Sequence, residues 1–320
     1  MKRIFITGAS GCIGHYLTET LIEDTDYELF LLIRNPDKLK IDVKSYSNIH
    51  IIKGNLASIE EHSELLKTIN IAVLVATAWG DPKETYNINV TKNLQLMELL
   101  NPDICEQIIY FSTASILGQD NKLLKEAGEI GTDYISTKYE CFTRLSSLKI
   151  ASKITTVFPT LVFGGDENKP YSHISGGLAD VVKWVSLLRW FKADGSFHFI
   201  HGKDIAKVIV YLMKNPPPEN KENPLNDDRL FVLGNQPLSV NQTIEELCNY
   251  FKKKIYFQIP LSLSLAKFFI KVFNIQMAEW DRFCLNNPHF TYQKYFRPST
   301  FNLENYCPTV SDIFKKAGIE

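Results

Sequence analysis

Tyr134 and Lys138 stand four residues apart in the segment Tyr134-Ile135-Ser136-Thr137-Lys138. On a helix, positions i and i+4 share a face, so this phenol and this ammonium can act on one small volume. A free tyrosine titrates at about 10 and is a poor base at neutral pH. A neighbouring ammonium favours the phenolate and lowers that value, which is what a proton-transfer role requires. The spacing alone is weak, because both residue types are common on helix faces. It gains weight upstream, where an apolar run ending at Phe111 opens into Ser112-Thr113-Ala114-Ser115. Thr113 then sits at the carboxyl end of a strand, able to hydrogen-bond the substrate oxygen that gains or loses the proton.

A second group of residues is suited to phosphate. Thr7-Gly8-Ala9-Ser10-Gly11-Cys12-Ile13-Gly14 follows the first apolar run and carries the spacing GxxGxxG. Gly8 permits the tight turn, Gly11 lets backbone approach a pyrophosphate, and Gly14 lets the next helix pack closely on a sheet. The helix N-terminus adds free N–H groups and the positive end of its dipole. Gly8, Ser10, Gly11, Cys12, Ile13 and Gly14 are therefore the expected dinucleotide-binding residues; a tight turn without a ligand is the plainer alternative. The second apolar run ends at Arg34, twenty residues beyond Gly14. An acidic residue there would accept hydrogen bonds from an adenosine ribose, whereas a guanidinium suits a 2′-phosphate. Arg34, with Lys38 or Lys40 as a second charge, favours NADP over NAD; the alternative is a strand end in solvent. Asn55 and Leu56 follow the third run and either border the adenine or form a simple turn.

Positioning these groups requires a sheet. Arg3 to Ile6, Glu28 to Ile33, Ile49 to Ile52, Ala72 to Ala76, Gln107 to Phe111 and Ile154 to Phe158 are short runs apolar on both faces. Longer amphipathic stretches separate them, clearest at Tyr86 to Leu100 and Tyr134 to Leu148. That alternation describes a parallel sheet covered on both sides, and right-handed crossovers make it a doubly wound α/β fold. The rhythm breaks after Gly164. Asn215 to Arg229, with three consecutive prolines, reads as an exposed loop before one further strand at Leu230 to Leu233. Ser239 to Glu320 combines a helix at Thr243 to Lys253 with an aromatic-rich tail. Ile259 to Ile275 is the most hydrophobic stretch and reads as a buried helix rather than a membrane-surface one. The expected division is 1–163 with 202–236 as a dinucleotide-binding Rossmann domain, and 164–201 with 237–320 as a smaller α+β substrate-binding domain.

Composition excludes several classes. With 35 basic and 36 acidic residues there is no global field to hold a polyanion, so nucleic acid is not an expected partner. Hydrophobic residues at 45% argue against disorder as a description of the whole chain. The six cysteines show neither CxxC pairs nor zinc-ligand spacing, and the histidines show no HExxH, so no metal is expected. Neither a secretory leader nor an uninterrupted membrane span is read, which makes a cytoplasmic protein the default.

These motifs together resemble the extended short-chain dehydrogenase/reductase superfamily, the NAD(P)-dependent epimerase/dehydratase group, over roughly residues 2 to 236. Thr7 to Gly14 resembles its cofactor fingerprint, and Thr113, Tyr134 and Lys138 match its Ser/Thr–Tyr–Lys triad. Tyr86-Asn87-Ile88-Asn89-Val90, Pro159 to Gly164 and Phe199 to Ala206 are similar to further family segments. The resemblance implies that Tyr134 is the acid/base, that Lys138 lowers its pKa and holds the nicotinamide ribose, and that Thr113 orients substrate. It also implies a small-molecule substrate, a sugar nucleotide among the candidates, and a homodimer. Asn89 either positions the active-site helix or is an ordinary polar helix residue.

Three departures sharpen the expectation. Many nucleotide-sugar epimerases of this group carry an acidic residue where Arg34 stands. The sugar 4,6-dehydratases place Asp-Glu directly after the catalytic threonine, whereas Thr113 is followed by Ala114-Ser115, which argues against dehydration. Phe158 replaces an arginine often found before the proline of strand six. Arg282 and Arg297 could hold a diphosphate, although surface roles are commoner for lone arginines. His173 and His201 fall in segments expected to border the cleft, but they and Cys141 are more simply structural or packing groups than a second acid/base or a nucleophile, and Trp184, Trp190 and the aromatics of Trp280 to Phe296 core rather than a stacking site. The expected activity is an NADP-dependent oxidoreductase acting on a carbonyl/alcohol pair. The alternatives are an NAD-dependent nucleotide-sugar epimerase that recycles its cofactor internally, and a non-catalytic dinucleotide sensor.

Overall fold

The computed structural model describes residues 1–43, 45–265, 267 and 276–319. Six strands alternate with helices in the first half: β1 (Arg3–Thr7), β2 (Glu28–Ile33), β3 (Ile49–Lys53), β4 (Ile71–Leu74), β5 (Gln107–Phe111) and β6 (Ile154–Pro159). With a seventh strand, Leu230–Leu233, they form one sheet in the order Leu230–Leu233, β6, β5, β4, β1, β2, β3. Every pairing is parallel. This is the doubly wound Rossmann arrangement.

The apolar runs are continuous because both faces are covered. Phe5, Ala72, Leu74, Ile108 and Tyr110 join one buried cluster. Their neighbours Ile4, Ile6, Ile71, Val73, Ile109 and Phe111 join another on the opposite face, as the two-residue period of a strand requires. Helix α1 (Cys12–Asp24) packs on this second face beside the helix Gly202–Lys214. The chain winds outward from β1 through β2 to β3, then returns to build β4, β5 and β6 on the other side of β1. That reversal opens a crevice beyond the carboxyl ends of β1 and β4, where open α/β sheets bind ligands.

A third cluster gathers Leu178, Val185, Phe199, Ile244, Leu247, Val310, Ile313 and Phe314 away from the sheet. The C-terminal chain is tied back to the end of β5: the Tyr292 hydroxyl donates to the Ala114 carbonyl at 2.8 Å. Among the described residues, no helix is long and apolar enough to cross a membrane.

Three local features differ from the periodicity. The stretch read as a helix from Tyr86 is α-helical over Pro82–Tyr86, a π-helix over Asn87–Lys92 and α-helical again over Asn93–Leu99. The wider turn leaves the Ile88 carbonyl to the Asn93 side chain, whose Nδ2 donates to it at 2.8 Å. Within the Asn215 to Arg229 loop, Arg229 is buried and donates to the carbonyls of Pro217 and Pro218, so the loop is tied down at its end. Ile259–Leu261 is a strand paired with Phe191–Ala193, and Ile259 and Leu263 are exposed, which corrects the buried-helix reading there. Pro260 lacks the N–H of a helix interior but suits a two-stranded ribbon. Residues 266 and 268–275 of that stretch lie outside the described residues.

Candidate functional site

The crevice at the strand ends is a cavity of ≈ 790 Å³. Its lining includes Gly8, Ser10, Gly11, Cys12, Ile13, Gly14, Arg34, Asn55, Leu56, Thr113, Tyr134 and Lys138, so these cofactor and catalytic candidates meet one volume. Lys38 also lines it, whereas Lys40, His201, Cys141, Arg282 and Arg297 do not.

At one end the glycine loop lies against the chain just past β4. A Cβ on Gly8 would approach the Ala76 nitrogen to 2.7 Å, and φ is +75° there. A Cβ on Gly14 would overlap the Gly8 carbonyl oxygen and come within 2.6 Å of the Ala9 Cα. The bare backbone thus lets loop, helix and strand converge. Gly11 caps α1 without any side-chain hydrogen bond, and the first turn holds no acidic residue. Its amides are left for an anion, and their dipole favours one. These features fit a dinucleotide pyrophosphate.

Arg34, just past β2, is exposed and makes neither hydrogen bond nor ion pair with the described residues. Asn55 caps the turn after β3 by accepting from the Ala57 amide at 3.2 Å. Leu56 is buried and contributes an apolar wall. Arg34, Lys38 and Lys138 are the cations of the described lining, and Glu84 is its one carboxylate. The balance favours a phosphate-bearing ligand.

At the other end, the helix Asp133–Arg144 brings Tyr134 and Lys138 to the cavity, with Thr132 capping it through the Ile135 amide. Thr113 lies two residues past β5 and caps the turn that follows, its hydroxyl accepting from the Ser115 amide at 3.3 Å, and it lines the cavity with Tyr134. Lys138 is buried, donates from Nζ to the Phe111 carbonyl at 2.7 Å and lies 5.1 Å from the Tyr110 ring centroid. Asn89 joins two walls: its Oδ1 accepts from the Ala78 amide at 2.8 Å, and its Nδ2 donates to Thr137 Oγ1 at 3.1 Å.

The expected lowering of the tyrosine pKa is not present in this state. Burial pushes the Tyr134 phenol up to about 12, and the opposing influence comes from the neighbouring Thr113 hydroxyl rather than from Lys138. Burial also pulls the Lys138 ammonium down to about 8. The phenol therefore holds its proton at neutral pH.

The Lys138 shift has a sign that can be tested. An unfolded lysine titrates at about 10.4, so between roughly pH 8 and 10.4 the unfolded chain binds more protons than the folded one. The destabilisation is complete below pH 8 and is relieved as pH rises through that window. Replacing Lys138 with Met removes this dependence. Measured by urea unfolding at about pH 7.5 and 10, the stability advantage of Lys138→Met over wild type is expected to shrink by on the order of 3 kcal/mol. An unchanged difference between the two pH values would show that burial does not depress this lysine.

Some cavity groups carry no readable spacing. Trp79, in the loop after β4, stacks on the Tyr134 ring with centroids 3.7 Å apart and planes at 12°. His173 stacks on the same indole at 5.8 Å. His173 lies with Tyr171, Ser172 and Ile174 on a strap that also lines the cavity. The strap is anchored where the Gly165 amide donates to the Tyr16 hydroxyl at 3.1 Å, with φ of +147° and +107° at Gly164 and Gly165. The sequence reading that puts the His173 and His201 segments beside the cleft holds for His173 and not for His201, which does not line the cavity. Trp280 is buried and also lines the cavity, packed in the core as its composition suggested. His201 is buried and accepts from the Lys203 amide at 3.1 Å, a helix cap. Cys141 is buried, and its thiol is pushed up to about 11 by that burial.

Comparison with known proteins agrees with the family and the fold. Residues 4–226 match the model of the NAD dependent epimerase/dehydratase family. Among solved structures, a protein named gox2253 is 16% identical, with a TM-score of 0.66 over 100% of this chain and 93% of its own. The Bordetella bronchiseptica enzyme WbmH, solved in complex with NAD+, is 16% identical with a TM-score of 0.56, covering 82% and 86% of the two chains. The UDP-N-acetylglucosamine 4-epimerase of Methanobrevibacter ruminantium, in complex with UDP-N-acetylmuramic acid, is 18% identical with a TM-score of 0.57, covering 80% and 84%. At such identities the likeness is one of fold.

Proposed function

Because the chain belongs to the NAD-dependent epimerase/dehydratase family, and so to the enzymes of the extended short-chain dehydrogenase/reductase type, we propose that it is an NADP-dependent oxidoreductase acting on a carbonyl/alcohol substrate. The observation that carries the NADP assignment is Arg34, an uncommitted guanidinium lining the same cavity as Tyr134 and Lys138, with Lys38 beside it. Gly8, Ser10, Gly11, Cys12, Ile13 and Gly14 would hold the pyrophosphate, Asn55 and Leu56 the adenine, Arg34 the 2′-phosphate, and Lys138 the nicotinamide ribose. The bound nicotinamide supplies or accepts the hydride.

The chain's own task is the proton. With its pKa pushed up to about 12, Tyr134 is a phenol at neutral pH, suited to donate its proton to a carbonyl oxygen as that oxygen gains negative charge. Thr113 holds the phenol and the substrate oxygen in register. Asn89 keeps the Tyr134 helix against the Trp79 loop through its paired hydrogen bonds. The reverse direction, alcohol oxidation, requires the phenolate; a full positive charge on Lys138 nearby would favour it. In this reading residues 1–163 and 202–236 bind the dinucleotide, and 164–201 and 237–320 form the substrate-binding part, supported by their separate apolar cluster. Six unpaired cysteines suit a reducing, cytoplasmic setting.

A second reading is epimerisation of a nucleotide sugar with tightly held NAD, favoured by structural neighbours solved with NAD and a UDP-linked sugar. Substituting Arg34 separates the two. Arg34→Ala is expected to weaken NADPH binding by on the order of tenfold to a hundredfold, the loss of a charge-assisted phosphate contact, with NADH affinity unchanged within about twofold. Equal effects on both nucleotides would favour the epimerase.

A further inference from the structure

Away from the cavity, one face of the molecule leaves large apolar side chains uncovered. The helix Leu178–Leu188 directs Leu178 and Val185 into the third apolar cluster. Trp184, Leu187 and Leu188, at i, i+3 and i+4, share another side and are 57%, 48% and 37% exposed. The segment joined to it adds Tyr256, Phe257, Ile259 and Leu263, which are also exposed. The two segments are held together. Phe191–Ala193 pairs with Ile259–Leu261, and the Ile259 amide donates to the Trp190 carbonyl at 2.7 Å. Arg189 lies over the Trp190 ring at 4.6 Å and donates from Nη1 to the Lys254 carbonyl at 3.1 Å. Scattered exposed apolar residues need no explanation, but a contiguous preformed patch does.

Its charge indicates what covers it. Residues 181–193 carry Lys183, Arg189 and Lys192, and residues 251–265 carry Lys252, Lys253 and Lys254; neither segment contains an acidic residue. The chain as a whole has a net charge of −1, so this is a local asymmetry. Asp180 and Asp194 flank the first segment, and Asp180 is paired with Lys183 at 2.7 Å. Tryptophan, tyrosine and leucine beside lysine suit the boundary between acyl chains and head groups, where aromatic rings settle and long cationic side chains reach anionic phosphates. With Asp180 and Asp194 included, the face carries six cations, Lys183, Arg189, Lys192, Lys252, Lys253 and Lys254, against two carboxylates, and an anionic lipid surface complements that excess.

We propose that this face, built from Leu178–Leu188, Phe191–Ala193 and residues 252–265, docks the enzyme on the surface of an anionic bilayer. The full chain would be sedimented with vesicles of phosphatidylcholine alone and of phosphatidylcholine with an equal part of phosphatidylglycerol. Wild type is expected to bind the anionic vesicles at least about tenfold better than the neutral ones, with binding weakened by salt. Trp184→Ser with Leu187→Ser, and separately charge reversal at Lys252, Lys253 and Lys254, should each reduce it by roughly tenfold. Both are surface changes outside the cavity, so unchanged nucleotide affinity in each would show that fold and cofactor site persist. The proposal is overturned if wild type ignores anionic vesicles, if either variant binds them as well as wild type, or if the apolar variant instead only dissociates a dimer in light scattering.

Discussion

Replacement of Tyr134 by Phe is expected to lower kcat by on the order of a thousandfold while cofactor affinity stays within a few fold. The substitution removes the hydroxyl and keeps the ring that stacks on Trp79 at 3.7 Å, so the local packing survives. What is lost is the hydroxyl and its transferable proton, beside Thr113 in the same cavity. A loss of turnover without a loss of binding would mark an interaction made in the transition state. Normal turnover in Tyr134→Phe would remove the proton donor and the proposed chemistry with it. Parallel loss of turnover and nucleotide binding would instead assign Tyr134 a mainly structural role.

Adding a methyl group at Gly14 should have the largest effect on binding. The new Cβ would overlap the Gly8 carbonyl oxygen and lie 2.6 Å from the Ala9 Cα, and both obstacles are backbone. Relief requires α1 to move away from the loop, which spoils the amides that would meet the pyrophosphate. Gly14→Ala is expected to weaken dinucleotide binding by on the order of a hundredfold and to cost about 3 kcal/mol of stability. Gly176→Ala is the control: none of the described residues lies within 4 Å of a Cβ there, and neither quantity should change. Calorimetry and thermal unfolding of the two variants side by side check this. A Gly14→Ala protein that binds like wild type would show that the loop does not hold phosphate.

The parts of the molecule readable from residue order are those governed by local periodicity. β5 and β6 are buried along their whole length, so their apolar character is unbroken and visible. Gly8, Gly11 and Gly14 are visible because each answers a steric demand of one short turn. Tyr134 and Lys138 are visible because a helix fixes which residues share a face. What escaped is tertiary. Trp79 meets Tyr134 across 55 residues of chain, through a loop without a repeating pattern. Sequence places the His173 segment at the cleft, but shows neither its stacking on Trp79 nor its anchoring by Tyr16 of α1 and a glycine pair with positive φ. The short strand Ile259–Leu261 is stabilised by Phe191–Ala193, and its hydrophobicity alone suggested a buried helix. Even the phenol's pKa follows this division. The Tyr–Lys spacing implied a lowered value, whereas burial among residues from several elements raises it to about 12.

The most direct measurement is calorimetric titration of the nucleotide-stripped wild-type protein with NADPH and NADH at one ionic strength. NADPH is expected to bind at least about tenfold more tightly, because Arg34 and Lys38 line the cavity with no carboxylate at the end of β2. Equal affinities, or tighter binding of NADH, would contradict an NADP-dependent oxidoreductase and leave NAD-dependent epimerisation as the better reading.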